Sequence, residues 1–345
     1  MTEIAIVVLN WNTKKQLETF LPSIIEYSQD DSAEIIVADN GSSDGSAEFL
    51  RNNYPDLRTI LFDKNYGFTG GYNKALAQIE ARYYVILNSD IEVTENWLSP
   101  LKKCLEEDDL AIACMPKMKS YYRRNYFEYA GAAGGFIDKY GYPFCRGRIM
   151  DAVEEDKGQY DETSDIFWAT GACMFVRADL FHQLGGFDED FFAHMEEIDL
   201  CWRLKKMGYT IKYVPESVVY HVGGGTLPNE NPFKLFLNYR NNLFLLYKNL
   251  PEKQLFPVMC VRILMDWLSA FMFLLQGKTR NFTAVLRSHR IFLSSLNGLK
   301  EKRKSNPPSK NDFPGQVFHG SIVFQYFLKR RRRFSQLKEF SGNLF

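Results

Sequence analysis

No Cys-x-x-Cys pair occurs in this chain, although it holds six cysteines, at 104, 114, 145, 173, 201 and 260. Most of them sit among apolar neighbours, so buried reduced thiols are expected rather than a disulfide framework or a zinc site. No signal peptide is apparent, because Met1 leads directly into an alternating acidic and apolar segment; the chain is expected to stay in the cytosol. No internal repeat is evident. Net charge is also missing, with 42 Lys and Arg against 42 Asp and Glu. That balance hides an asymmetry: Gln276 to Phe345 holds 15 basic and 3 acidic residues, or +12, which leaves −12 on residues 1–275. A basic segment of this kind suits a polyanion, either anionic lipid or nucleic acid. No nucleic-acid recognition motif accompanies it, so nucleic acid is not expected as a partner.

What is present is an alternating pattern. At 345 residues there is room for one large α/β domain and an appendage, and 46% apolar against 24% charged residues marks a globular chain. Ile4–Leu9 is a continuous apolar run of strand length, as expected for a strand buried on both faces. A helix is predicted over 14–27, then a second apolar run over 34–38. Asp39-Asn40-Gly41-Ser42-Ser43-Asp44-Gly45 makes a turn that caps the next helix. Further runs end at Phe62, Leu87 and Met115, with helices near 70–80 and 95–107. Such alternation implies right-handed βαβ units and a parallel sheet. Ligands on these sheets bind beyond the carboxyl ends of the strands, where the polar clusters at 10–12, 39–44 and 88–90 all fall. From Lys117 to Asp165 periodicity fades into irregular connections and short strands. Phe167–Val176 is predicted to return to the core as a strand, and Asp199–Gly208 to be helical. Beyond about Pro228 the pattern changes to long helices with a basic, aromatic-rich end.

Several clusters carry chemistry. Asn10-Trp11-Asn12 follows the first strand and Asp39 the second, where a carboxylate can accept from a pyrimidine imide or a ribose hydroxyl. By itself Asp39 is a turn residue and helix cap; its place on a neighbouring strand end favours a ligand role. Asn65-Tyr66-Gly67-Phe68-Thr69-Gly70-Gly71-Tyr72-Asn73 is a glycine-rich loop opening a helix, whose amides can approach a diphosphate closely. It has neither the lysine of a P-loop nor the spacing of a dinucleotide fingerprint. Asn88-Ser89-Asp90 ends an apolar run. Glu196-Glu197-Ile198-Asp199 opens a helix, where single acids would merely complement the dipole. His221, between Tyr220 and a run of glycines, would alone be a structural histidine.

Together and in this order, over roughly residues 3–250, these segments resemble the inverting glycosyltransferases of family 2. Asp39–Gly45 matches the family's Asp-Asn-x-Ser-x-Asp-Gly, and 65–73 its Asn-x-Gly-Phe-x-x-Gly-x-Asn. Thr170-Gly171-Ala172, Gly185-Gly186-Phe187-Asp188-Glu189-Asp190-Phe191-Phe192 and the acids at 196–199 follow its later motifs. Arg240-Asn241 matches a segment of rhamnosyltransferase-like members. The resemblance implies an α/β, GT-A fold, Rossmann-like with a mostly parallel sheet flanked by helices. It would occupy residues 1–227, with a helical, basic extension over 228–345.

It further implies a UDP- or dTDP-sugar donor held by Asn10, Asn12, Asp39, Asn40, Asn65, Gly67, Gly71, Asn73, Asn88, Asp90 and Arg240. Asn88-Ser89-Asp90 stands where the family has Asp-x-Asp, with asparagine for the first acid. Asp90 and His221 would hold a divalent cation, Mn²⁺ or Mg²⁺, which prefers oxygen ligands and bridges donor phosphates. Glu196-Glu197 stands for the family's Glu-Asp, with Glu197 taking the acceptor's proton beside Glu196. Gly171, Asp199 and Trp202 would meet the acceptor, a glycan or lipid-linked glycan of surface-polysaccharide synthesis. Two other readings compete. A sugar nucleotidyltransferase should carry an N-terminal glycine-rich loop with basic residues, absent from Val7–Thr13. An inactive sugar-nucleotide-binding protein would not need carboxylates at 90 and 197 together.

Leu255–Gln276 is largely apolar, but Arg262 and Asp266 interrupt it, so a packed or interfacial helix is expected rather than a spanning one. Lys329-Arg330-Arg331-Arg332-Arg333 lies between Phe327 and Phe334. Such a cluster suits an anionic membrane surface, at about 1 kcal/mol per cation. A peripheral protein at the cytoplasmic leaflet is the resulting expectation.

Overall fold

Ile4 to Val8 are fully buried because β1 (Thr2–Asn10) runs through the middle of the main sheet. A computed structural model describes residues 2–29, 32–223, 231–308 and 315–337. After β1 come α1 (Lys14–Tyr27), β2 (Ala33–Asp39), α2 (Ser46–Asn53), β3 (Arg58–Leu61), α3 (Gly67–Leu76) and β4 (Ala81–Asn88). β5 (Ile91–Val93), α4 (Leu98–Glu107) and β6 (Ala111–Ser120) follow. The helix at 14–27 and the strand over 34–38 form as the periodicity predicts.

β1 pairs in parallel with β2 on one side and with β4 on the other, in a register that sets Asn10 opposite Asp39 and Leu9 opposite Asn88. Three polar strand ends therefore lie at one edge. The next strands are β7 (Gly135–Asp138), β8 (Pro143–Cys145), β9 (Arg148–Ile149), β10 (Ala152–Val153), β11 (Ser164–Ile166) and β12 (Cys173–Arg177). Then come α5 (Ala178–Gln183), α6 (Glu196–Lys206) and β13 (Thr210–His221). The nine-stranded sheet runs β11-β13-β6-β12-β4-β1-β2-β3, with β5 on β13. β12 lies antiparallel between β4 and β6, so the sheet is mixed. The antiparallel β5–β13 pairing sets His221 opposite Ile91, next to Asp90.

Of the strand predicted over Phe167–Val176 only Cys173–Val176 is strand, in β12; β11 ends at Ile166, and the buried segment between them, which includes Thr170-Gly171-Ala172, crosses from one to the other. The Thr170 hydroxyl accepts from the Ala172 amide, which turns the chain there. An apolar run buried along its length reads the same whether or not it bends.

α7 (Pro232–Asn249), α8 (Glu252–Leu275), α9 (Thr279–Ser294) and α10 (Leu296–Ser305) complete the helical part, followed by β14 (Val317–Phe318) and α11 (Ile322–Phe327). The extension is therefore not purely helical. β14 adds an edge strand to a second sheet, β10-β9-β8-β7-β14, and Phe334 packs its ring against Phe136 and Phe144. The boundary expected between 227 and 228 lies outside the described residues. All six cysteines are free thiols.

Candidate active site

At the carboxyl ends of β1 and β4 the loops enclose a cavity of about 400 Å³, lined by Trp11, Asn40, Asn65, Asn88, Asp90 and the Glu196–Glu197 pair among others. The structure brings most of the predicted residues to this one place, through three separate arrangements.

The first is a polar lattice at the ends of β1 and β2. Asn10 Nδ2 donates to Asp39 Oδ2 at 2.7 Å, and Asp39 Oδ1 accepts from the Ser42 amide at 2.9 Å. Asn12 accepts from the Ser43 amide at 2.7 Å. Asn10, Asn12 and Asp39 thus tie strand ends and turn together beneath the cavity, while Asn40 and Asn65 reach its wall. Asn40 Nδ2 donates to Asn65 Oδ1 at 3.1 Å and to the Gly67 carbonyl at 2.9 Å. Gly67 has φ +75°, and a Cβ there would lie 2.5 Å from the Phe192 ring; one at Gly71 would lie 2.9 Å from Asn40 Nδ2. Close approach, not only turning, requires glycine at both positions.

The second is the pair predicted to hold metal. His221 Nε2 lies 3.1 Å from Asp90 Oδ1. Its Nδ1 is 3.4 Å from Glu128 Oε2, a charge contact rather than a hydrogen bond. Burial opposes charge on both groups, yet each stabilises the other ionised: Asp90 lies below its ordinary value and His221 well above. Among the described residues no cluster of three or more His, Cys, Asp or Glu is placed to hold a metal. Once a cation displaces the proton of His221 Nε2, Asp90 and His221 would offer it one oxygen and one nitrogen at the cavity wall. That set fits a divalent cation whose remaining ligands are diphosphate oxygens and water.

The third is the acidic pair. Glu196 Oε2 and Glu197 Oε2 are buried without hydrogen-bond partners, and so is His194 Nε2. All three side chains line the cavity. Burial pushes the Glu197 carboxyl up to about 7. Burial and then the charge of Glu197 push Glu196 well above the usual carboxylate range. Burial, with the charge of Lys234, pushes His194 down to about 4, so its imidazole is neutral at pH 7. Unpaired buried groups of this kind are costly and cluster where ligands bind.

Their backbone is strained as well. Phe192, His194 and Met195 have φ of 65°, 71° and 73°. Left-handed non-glycine residues cost about 1–2 kcal/mol each. Asn241 on α7 offsets this: its Nδ2 donates to the carbonyls of Phe191, Ala193 and His194 at 2.9, 2.8 and 2.7 Å.

Besides Asn10, Asn12, Asp39 and Gly71, which do not line the cavity, four further predicted residues lie away from it. Arg240 spends its guanidinium on the Asp190 and Phe191 carbonyls at 2.8 and 2.9 Å, so it braces the same turn instead of meeting a donor. Asn73 bonds both backbone groups of Phe187 and lines a separate cavity of about 310 Å³ behind the site. Asp199 is fully buried and bonded to Arg203, Asn249 and Lys248. Trp202 packs edge-on to Phe167 in the core. The reason is helical geometry: at about 100° per residue, Asp199 is turned about 200° from Glu197. Gly171, by contrast, does line the cavity, and a Cβ there would lie 3.7 Å from Glu197 Cβ.

Trp11, His194, Glu128 and Asn241 went unpredicted as working residues. Trp11, an aromatic just beyond an apolar run, and Asn241, in the Arg240-Asn241 segment, both lie within motifs read for their neighbours.

A mixed sheet of this order, with an acid–histidine pair and unpaired glutamates around one cavity at its carboxyl edge, defines a glycosyltransferase of the GT-A fold. The chain belongs to glycosyl transferase family 2, whose model matches residues 5–185; the model of glycosyl transferase family group 2 matches residues 144–279. It is 27% identical over 237 residues to the N-acetylglucosaminyl-diphospho-decaprenol L-rhamnosyltransferase of Mycobacterium tuberculosis, over 64% of this chain and 76% of that one. It is 26% identical over 213 residues to the rhamnosyltransferase WbbL of Escherichia coli, over 59% and 79% of the two chains. Among solved structures the fold is similar to that of GalNAc-T7 with UDP, GalNAc and Mn²⁺, at TM-score 0.57 and 15% identity, covering 74% of this chain but only 49% of that one. It is also similar to the mannosyltransferase PcManGT of Pyrobaculum calidifontis in complex with GDP-Man and Mn²⁺, at TM-score 0.50 and 16% identity, over 88% and 87%.

Proposed function

We propose that this glycosyltransferase moves a deoxyhexose of the rhamnose type from a uridine or thymidine diphosphate to a hydroxyl of a lipid-linked glycan, with inversion, in surface-polysaccharide synthesis. One observation carries the mechanism: Glu197, with an unpaired carboxyl oxygen and an affinity for protons matched to neutral pH, lines the same cavity as Asp90 and His221. The likeness to enzymes named as rhamnosyltransferases, one of them for a decaprenyl diphosphate-linked N-acetylglucosamine, supports the sugar and the acceptor class.

Trp11 and the Asn40–Asn65 pair, an aromatic face and amide groups on the cavity wall, receive the nucleoside. Asp90 and His221 would hold a divalent cation, which supplies positive charge against that growing on the departing diphosphate. Glu197 accepts the proton of the acceptor hydroxyl as its oxygen attacks the anomeric carbon. The bond from that carbon to the diphosphate oxygen breaks, and the nucleoside diphosphate leaves with the electron pair. A single displacement inverts the centre. Glu196, held protonated by burial and then by its neighbour's charge, keeps the pair from carrying two negative charges in a buried site.

The test is a panel of UDP- and dTDP-sugars offered with a short-chain lipid diphosphate N-acetylglucosamine, with Mn²⁺ or with EDTA, and the product anomer read by NMR. Transfer with inversion that EDTA abolishes is expected. A product of retained configuration removes the single displacement, and full activity in chelator leaves Asp90–His221 a structural pair.

A further inference from the structure

In α8 the buried positions Val258, Arg262, Asp266 and Ala270 recur every four residues, so both charges of its apolar length face the protein. Arg262 Nε donates to Asp266 Oδ1 at 2.8 Å, and the guanidinium lies 4.0 Å from the Tyr142 ring centre. His289 Nε2 is 3.2 Å from the other oxygen of Asp266. The opposite face is apolar and bare: Phe256, Leu264, Trp267, Leu268, Phe271 and Leu275 are 78, 60, 49, 58, 56 and 66% exposed. This inverts the usual arrangement of a surface helix, which turns its polar face to water.

α11 adjoins the same place. The buried Asp138 at the end of β7 accepts from the Ile322 amide at the start of α11 and interacts with the charge of Arg262. From α11, Phe324, Phe327 and Leu328 also face out, at 44, 60 and 71% exposure. The basic run then winds back over the helix, with Lys329 above the Phe324 ring and Arg332 above Tyr326. Lys329, Arg330, Arg332 and Arg333 remain exposed.

We infer that α8 and α11 with this basic run form one docking surface for an anionic lipid bilayer, α8 lying in the plane of the interface. Apolar side chains enter the acyl boundary while the cations meet lipid phosphates, the two contributions that hold an interfacial helix. A crossing orientation is unsuited, because it would strip Arg262 and Asp266 of the partners that keep their charges buried. A second copy is unsuited too, since a symmetric contact would bring two like-charged runs together. The inference deepens the reading of a lipid-linked acceptor and rests on it only for purpose; the surface itself is argued from α8 and α11.

Flotation of the full chain with phosphatidylcholine vesicles, with and without equimolar phosphatidylglycerol, tests it. Binding is expected only to the anionic vesicles, with a blue shift of Trp267 emission. It should weaken as salt cuts the screening length from about 10 Å at 0.1 M to about 3 Å at 1 M. Leu268→Glu with Phe271→Glu should each carry charge into the boundary and together lower binding by at least about tenfold. Lys329→Gln with Arg330→Gln and Arg332→Gln should do so by about tenfold or more. Unchanged thermal melts, and unchanged transfer to a water-soluble acceptor, show that fold and site survive. They also separate a failure here from a failure of the proposed reaction. The inference is overturned if neither vesicle type is bound, if the variants float as the parent does, or if the glutamate pair dissolves a dimer and leaves flotation untouched.

Discussion

Asp199 lies on the same helix as Glu197, two residues further on, and is at least as deeply buried, yet the two carboxylates shift in opposite directions. Burial raises both. For Asp199 the charges of Lys248 and Arg203, with their hydrogen bonds and that of Asn249, outweigh it and hold the carboxyl well below its usual range. Asp188 is treated the same way by Lys248 and Lys302. Glu197 has no cation beside it and ends up near 7. One turn of α6 thus carries a carboxylate whose partners join α6 to α7, and another on the wall of a cavity with no cation beside it and one oxygen left without a partner. Acidity in the sequence is common to both; what separates structural from chemical use is whether the fold supplies a countercharge.

The sharpest way to break this comparison is to neutralise each acid in turn. Glu197→Gln keeps the shape and removes the proton acceptor, so kcat should fall by about 10²–10⁴ with donor affinity little changed. If Glu196→Gln proves the more damaging, the base is Glu196. Asp199→Asn should act on the fold instead: it leaves Arg203 buried without its countercharge and Lys248 with Asp188 alone. A loss of about 3–5 kcal/mol in urea denaturation is expected, the cost of breaking a buried pair.

The pH dependences should differ in sign. Transfer needs Glu197 ionised, so log kcat/KM should rise with unit slope to a plateau above about pH 7. Stability runs the other way for this residue: with its pKa raised on folding, it favours the folded state below its unfolded value and loses that contribution as pH rises through about 7. Thermal melts at pH 8 should therefore be higher for Glu197→Gln than for the parent. Asp199, with its pKa depressed, stabilises above its unfolded value of 3.8, and that contribution is lost only as pH falls below it. Asp199→Asn should accordingly narrow its deficit in strong acid. The smallest effect belongs to Gly171→Ala. Its methyl group would meet Phe68 Cζ at 3.1 Å beside Glu197, and the acceptor KM should rise by about twofold to tenfold, with melting unchanged.

Much of this was legible in the residues. Ile4–Leu9 and its successors announce buried strands through their apolar runs, and the polar residues that end them must lie at the carboxyl edge of a parallel sheet. Asp90, Asn40, Asn65, Gly171 and the Glu196–Glu197 pair all line the cavity. Asp199 and Trp202 were misplaced because a motif records which residues occur together and not which side of a helix each faces. Arg240 was misplaced because an arginine suits phosphate and backbone carbonyls equally well, and only packing against the 190–191 turn decides between them. That residues 167–172 cross between strands instead of forming one was hidden because the crossing is buried like a strand.

Local periodicity by itself determined the alternating strands and helices, the polar strand ends and the order of the motifs, since those depend on neighbours in sequence. Tertiary structure alone decided which acids would meet a cation. It set His221 beside Asp90 through the β5–β13 pairing, brought Lys248 from α7 to Asp199, and left Glu197 without a cation. It also turned the two charges of α8 inward and its apolar face outward. The physical reason is common to all of these: a charge is tuned by whatever lies within a few ångströms of it, and in this chain those partners are supplied by other elements or by the next turn of a packed helix.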